Sequence, residues 1–138
     1  MKKRIVLILL LVLQALISMA TFGGCNKLSK EKCLGDFRRT YEISSAVPAL
    51  GISAVTVSET YRFLADGTGL MYEGLFEQKE IIFYYTYTID DDFNVIVTIS
   101  EVKNDNYKVG DQIPMNFELE EKEVILYQEY ISYNKVTA

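Results

Sequence analysis

Asp66-Gly67 stands between two alternating runs, Tyr61-Arg62-Phe63-Leu64-Ala65 and Thr68-Gly69-Leu70-Met71-Tyr72, and it leaves the chain few ways to fold. An Asp-Gly pair supplies the positive φ of a tight hairpin turn, so the flanks read as antiparallel strands. A two-residue turn there opposes Phe63 to Leu70, Tyr61 to Tyr72, Glu59 to Gly74 and Val57 to Phe76. On the other face Arg62 meets Met71 and Thr60 meets Glu73. One face is apolar and the other mostly polar, as a half-buried sheet requires.

The pattern continues downstream. A turn at Gln78-Lys79 sets Phe76 against Ile81, Gly74 against Phe83, Tyr72 against Tyr85 and Leu70 against Tyr87. A loop at Asp90-Asp91-Asp92 then opposes Ile89 to Phe93, Tyr87 to Val95 and Tyr85 to Val97. Met115, Phe117 and Leu119 alternate before a turn at Glu120 to Glu123. Val124 to Tyr133 is apolar on both faces, the pattern of a strand buried on two sides or bulged. Upstream, Arg38 to Ser44 forms a first strand with Tyr41 and Ile43 inward, and Ser45 to Ser53 reads as a loop. Seven or eight strands joined by short turns predict an all-β, antiparallel up-and-down meander closing into a barrel, with a β-sandwich as the alternative. Closure removes sheet edges that would otherwise pair with other chains.

The first 24 residues stand apart. Met1-Lys2-Lys3-Arg4 is basic, Ile5 to Leu13 is unbroken apolar sequence, and small residues lead to Gly23-Gly24-Cys25. That order makes a secretory signal peptide. As a membrane span it is short of about 20 apolar residues and interrupted at Gln14. The stretch Phe22-Gly23-Gly24-Cys25 resembles the lipobox of bacterial lipoproteins, with Phe22 in place of the usual Leu-like residue. The resemblance implies a diacylglyceryl group on Cys25, cleavage before it, and attachment to membrane lipid on the extracytoplasmic face of the cell envelope. An alternative cut after Ser18-Met19-Ala20 would leave Cys25 and Cys33 free to pair as a disulfide. The expected organisation is a signal peptide at 1–24, a lipidated cysteine and tether at 25–34, and a barrel domain at 35–138.

Gly35-Asp36-Phe37, Tyr61-x-Phe63-x-x-Asp66-Gly67-Thr68-Gly69 and Tyr87-x-Ile89-x-x-Asp92 together resemble the small lipocalin-like bacterial lipoproteins. Phe37 stands where lipocalins usually carry Trp. The resemblance covers roughly residues 35–133 and implies an antiparallel barrel; members of that group largely lack an assigned function.

Composition removes several function classes. Three of the 14 basic residues and none of the 19 acidic ones precede Cys25, so the exported part carries eleven against nineteen, a net charge of −8. An acidic domain without a basic stripe is repelled by phosphate backbones, which argues against nucleic acid. The chain has no histidine, which removes Ser-His and Cys-His nucleophile systems and the commonest transition-metal ligand. No catalytic residue, metal site or cofactor is expected. Asp90-Asp91-Asp92 lacks calcium-loop spacing and reads as an acidic turn.

Two features could carry binding. Glu59 shares the inward face with Val57, Tyr61 and Phe63, where a carboxylate needs a partner or has a raised pKa, unless it lies at a wet rim. Tyr61, Tyr72, Tyr85 and Tyr87 crowd the same inferred face, either as a packed core or as the lining of a site for a small apolar or sugar-like ligand. The function expected is a membrane-anchored, non-enzymatic binding module; the alternative is an envelope protein that binds another protein as inhibitor or assembly factor. A hydrolase using Glu59 and a second acid ranks below both.

Overall fold

The computed structural model describes residues 27–47, 51–75 and 78–137. Eight antiparallel strands run β1 (Gly35–Val47), β2 (Ile52–Phe63), β3 (Thr68–Leu75), β4 (Gln78–Ile89), β5 (Asn94–Val102), β6 (Gln112–Glu120), β7 (Glu123–Gln128) and β8 (Ile131–Lys135). Each pairs with its sequence neighbour, and β8 returns to β1 through Phe37 with Lys135 and Arg38 with Asn134, closing a barrel. The up-and-down barrel is the expected architecture, with the strand count at eight; the sandwich is excluded.

The register departs from the sequence reading, and the turns explain why. At Asp66-Gly67 the connection has three residues, not two. Gly67 N donates to Leu64 O (3.3 Å), Leu64 N donates to Thr68 O (2.9 Å), and Gly67 takes φ +84°. This is a type I turn closed by a left-handed glycine. The Asp66 carboxylate accepts from Thr68 N (3.0 Å) and Thr68 Oγ1 (2.6 Å), locking it. The extra residue slides β3 by one position, so Phe63 faces Gly69, Tyr61 faces Met71 and Glu59 faces Glu73. A one-residue slip inverts a strand's faces. Met71 is therefore inside and Tyr72 outside.

Gln78 and Lys79, read as a turn, belong to β4 and pair with Leu75 and Gly74. The β3–β4 register then shifts between Tyr72–Ile81 and Met71–Phe83, a bulge that restores Phe83, Tyr85 and Tyr87 to the inward face. The next loop repeats the first turn one residue later than expected. Phe93 N donates to Asp90 O (3.1 Å), Asp90 N donates to Asn94 O (3.0 Å), and Phe93 occupies the glycine-like position at φ +63°. Asp90 Oδ1 accepts from the backbone of Asp92 and Asn94, 2.9 Å each. The resulting shift is two residues, which preserves the face: Ile89 meets Val95 and Tyr87 meets Val97.

Val124 to Tyr133 is two strands, not one. The chain reverses at Glu129-Tyr130, with Glu129 at φ +55°, and β7 pairs back with β8 through Leu126 and Tyr133. The reversal explains the apparent two-sided apolarity. Most of the segment read as a loop over residues 45–53 is strand, because β1 reaches Val47 and pairs with Ile52.

The barrel is filled by its own side chains. Phe37, Phe63 and Phe117 pack ring against ring at 5.0–5.9 Å, and Tyr61 lies against Tyr133 at 5.3 Å. Val95, Val97, Ile99 and Leu126 complete a core in which none of the four is more than 1% exposed. Burying each such aliphatic side chain is worth about 1.5–3 kcal/mol. Gly69 has a specific role: a Cβ there would collide with the Tyr85 ring and the Arg62 carbonyl. Tyr85 thus lies across bare backbone and donates from its hydroxyl to Arg62 O at 2.6 Å. Gly74, expected to oppose Phe83, pairs with Lys79 instead, and Phe83 pairs with Met71.

The two ends differ. A 3₁₀ turn at Glu31–Cys33 precedes β1, and its buried Cys33 together with Leu28, Leu34, Ile89 and Phe93 joins the core. Lys135 Nζ donates to Lys32 O at 2.6 Å, clamping this cap to the end of β8. The segment read as tether therefore packs on the barrel from Leu28 onward. At the other end, which carries no such cap among the described residues, lie the close of β3 at Leu75, the start of β4 at Gln78, the 103–111 loop and the Glu129-Tyr130 turn. There Tyr107 covers Phe83 with ring centroids 4.9 Å apart.

A candidate binding mouth at the uncapped end

The expected site residues separate into groups. Cys25 and the signal peptide lie outside the described residues. Tyr61 and Tyr85 are interior, 3% and 1% exposed, and burial pushes both phenols well above their ordinary pKa. Tyr87 lies toward the capped end, packs on Phe63 at 5.0 Å and donates to Leu64 O at 2.6 Å. Tyr72 is on the outer wall. Its hydroxyl donates to Asp36 Oδ2 (3.0 Å) beside the two-pronged Arg62–Asp36 ion pair (2.7 and 3.1 Å). These hydrogen bonds, Arg62 first, hold the Asp36 carboxyl below the usual carboxylate range. The four tyrosines therefore do not surround a common cavity.

Glu59 is inward, as expected, and it has partners. Arg39 Nε donates to Oε2 at 2.8 Å, Tyr133 OH to the same oxygen at 3.2 Å, and Tyr41 OH to Oε1 at 3.3 Å. The pair is partly buried, with 28% of the Arg39 side chain and 14% of Glu59 exposed. The Arg39 guanidinium also sits 4.5 Å from the Tyr41 ring centroid. Arg39 reaches this position because it shares strand parity with Phe37 and Tyr41, and its Cα partner across β1–β2 is Glu59. Parity alone could have identified it from sequence.

The row continues across the next strands. Glu59 pairs with Glu73 on β3, and Glu73 pairs with Glu80 on β4. Glu73 has no cation or hydrogen-bond donor among the described residues. Desolvation first, then the neighbouring charges of Glu59 and Glu80, push its carboxyl above the ordinary value. Burial, then Glu73 and Glu59, raises the Tyr107 phenol in the same way.

Beside this row lies a cleft of about 550 Å³, lined by Tyr41, Ile43, Val57, Glu73, Leu75 and Glu80, with Gly74, Gln78 and Lys79 completing its edge. Ile43 and Leu75 are 44% and 47% exposed, high for large apolar side chains. Glu73, Glu80 and Tyr107 were not legible as site residues, since the two-residue turn had placed Glu73 on the outer face. A second recess of about 460 Å³ lies between the cap and the β2–β3 turn, lined by Cys33, Leu34, Ala65 and Ile89 among others.

The mouth contains a carboxylate pair, Glu59 and Glu73, but both oxygens of Glu59 are engaged by Arg39, Tyr41 and Tyr133. Among the described residues no group of three or more His, Cys, Asp or Glu side chains is placed to hold a metal ion. What the arrangement offers is a recess with apolar walls and an unpaired acid. Comparison with protein-family models, with curated proteins and with solved structures gives no match to this chain.

Proposed function

We propose that this chain is an exported lipoprotein, anchored through an acylated Cys25, whose lipocalin-like barrel binds a small ligand at its uncapped mouth without chemical turnover. The observation that carries the binding reading is the 550 Å³ cleft, within the 300–1,000 Å³ range of small-molecule sites. The filled interior supports a rim site over a deep one. Glu59, held by three donors, is poorly disposed to act as a free nucleophile or base, which favours binding over hydrolysis.

The anchor reading rests on Gly23-Gly24-Cys25 behind a basic and apolar leader. Leu28, packed on the core, follows Cys25 by three residues, a reach of at most about 11 Å. Acylation would therefore hold the capped end against the bilayer and direct the mouth away from it. Two acyl chains suffice for stable attachment. Cys25→Ser should shift the chain from the membrane to the soluble fraction, or stall its processing. A mature N-terminus at Thr21 with a Cys25–Cys33 disulfide would refute the anchor.

One observation favours the second reading, recognition of an envelope protein. Tyr130, fully exposed, and Val109, 63% exposed, stand on the turn and loop of the uncapped end. Tyr130→Ser with Val109→Ser should leave small-ligand binding intact and abolish capture of such a partner.

A further inference from the structure

The charge of the mouth is set by one row of paired residues, Arg39, Glu59, Glu73 and Glu80, running across β1 to β4. Like charges facing each other across strands cost stability unless something compensates them. Arg39 compensates Glu59 through its Nε, with its guanidinium over the Tyr41 ring. Lys79, the one lysine at the cleft, is turned over the outer-wall ring of Tyr72, 5.6 Å from its centroid. Among the described residues Glu73 and Glu80 thus face the cleft with no cation paired to them, beside the exposed side chains of Ile43 and Leu75 and the buried Val57 between the strands.

We infer that the cleft selects an organic cation with an apolar body. The charged head sits at Glu73 and Glu80, and the body lies on Ile43, Val57 and Leu75. This rests on the binding-module reading and adds the ligand's chemical class. The supporting physics is mutual: a partly buried acid with no ion-pair partner gains from a weakly hydrated cation, and a quaternary ammonium is less costly to dehydrate than a lysine head. An anionic ligand would meet the same carboxylates as repulsion.

Three probes with one body and different heads test this: 3-phenylpropyl-trimethylammonium, 3-phenylpropanol and 3-phenylpropane-sulfonate. Each is titrated calorimetrically into the mature chain in lipid nanodiscs, with empty nanodiscs as blank. The ammonium should bind at least tenfold more tightly than the sulfonate. Glu73→Gln should weaken the ammonium at least fivefold and leave the alcohol within twofold. Glu80→Gln, at an exposed position that tolerates change, should give a smaller loss of the same kind. Equal binding of all three heads, or equal losses for all three in Glu73→Gln, would overturn the cation inference and leave the binding module standing. No binding of any probe would remove both.

Discussion

Gly69→Ala tests the corrected register at its tightest point. In an ordinary strand the change should help, because glycine costs roughly 0.5–1 kcal/mol relative to alanine. Here the added Cβ meets the Tyr85 ring and the Arg62 carbonyl. Tyr85 is 1% exposed, so its ring has no free space to enter. Overpacking of this kind costs about 1–3 kcal/mol. Displacing the ring also breaks its hydroxyl bond to Arg62 O, worth about 0.5–1.5 kcal/mol net. Against the glycine gain, the sum is a destabilisation of about 0.5–4 kcal/mol centred near 2, and at that centre a fall in Tm of roughly 10 °C for a domain near 100 residues. Urea unfolding followed by circular dichroism measures it. Tyr85→Phe isolates the hydrogen bond and should cost about 1 kcal/mol. A neutral or stabilising Gly69→Ala would refute the reasoning, because it would mean that Tyr85 does not lie over Gly69.

Three further outcomes follow from the same geometry. Val97→Asp, at a position with no exposure opposite Tyr87, should destabilise by several kcal/mol, whereas Thr98→Asp on the outer wall should be mild; equal tolerance in thermal unfolding would contradict the inward assignment. Glu59→Gln should destabilise by about 1–2 kcal/mol, because Arg39 loses its ion pair in a partly buried site; a neutral result in denaturant titration would mean the pair is solvated. Glu73 faces Glu59 and Glu80, with Arg39 committed to Glu59 and Tyr107 nearby, and its raised folded pKa makes its charge a cost. That cost is present above the folded pKa and relieved as pH falls through it. Glu73→Gln should therefore raise stability at neutral pH by less than about 1 kcal/mol, given its partial exposure, and flatten the gain on acidification. Loss of stability at neutral pH would reverse the sign.

How far the sequence reached depends on turn chemistry. Alternation alone was enough to place Phe63, Phe83, Tyr85, Val95, Val97 and Phe117 indoors and to anticipate a closed meander. Hairpin register was not legible, because Asp-Gly suits both a two-residue turn and a type I turn closed by a left-handed glycine. That single residue inverted β3, turned Tyr72 to the outer wall, where it is still buried, and hid Glu73. The second such turn has Phe93 in the position usually reserved for glycine, so no sequence signal marks it. The bulge at Tyr72–Met71 is equally silent, since both partners are apolar. Glu59 was found as an inward acid, and its partner Arg39 was available from strand parity. The carboxylate row needed the true register.

The claim on which the rest depends is that the uncapped mouth, not the capped end, is where this barrel receives a ligand. Photo-crosslinking with a benzophenone-bearing quaternary ammonium, followed by mass-spectrometric mapping of the labelled residues, tests it directly. Labels confined to Tyr41, Ile43, Val57 and Leu75, and competed by 3-phenylpropyl-trimethylammonium, are the expected result. Labels centred on Leu34, Ala65 and Ile89 in the recess beside the cap would contradict it.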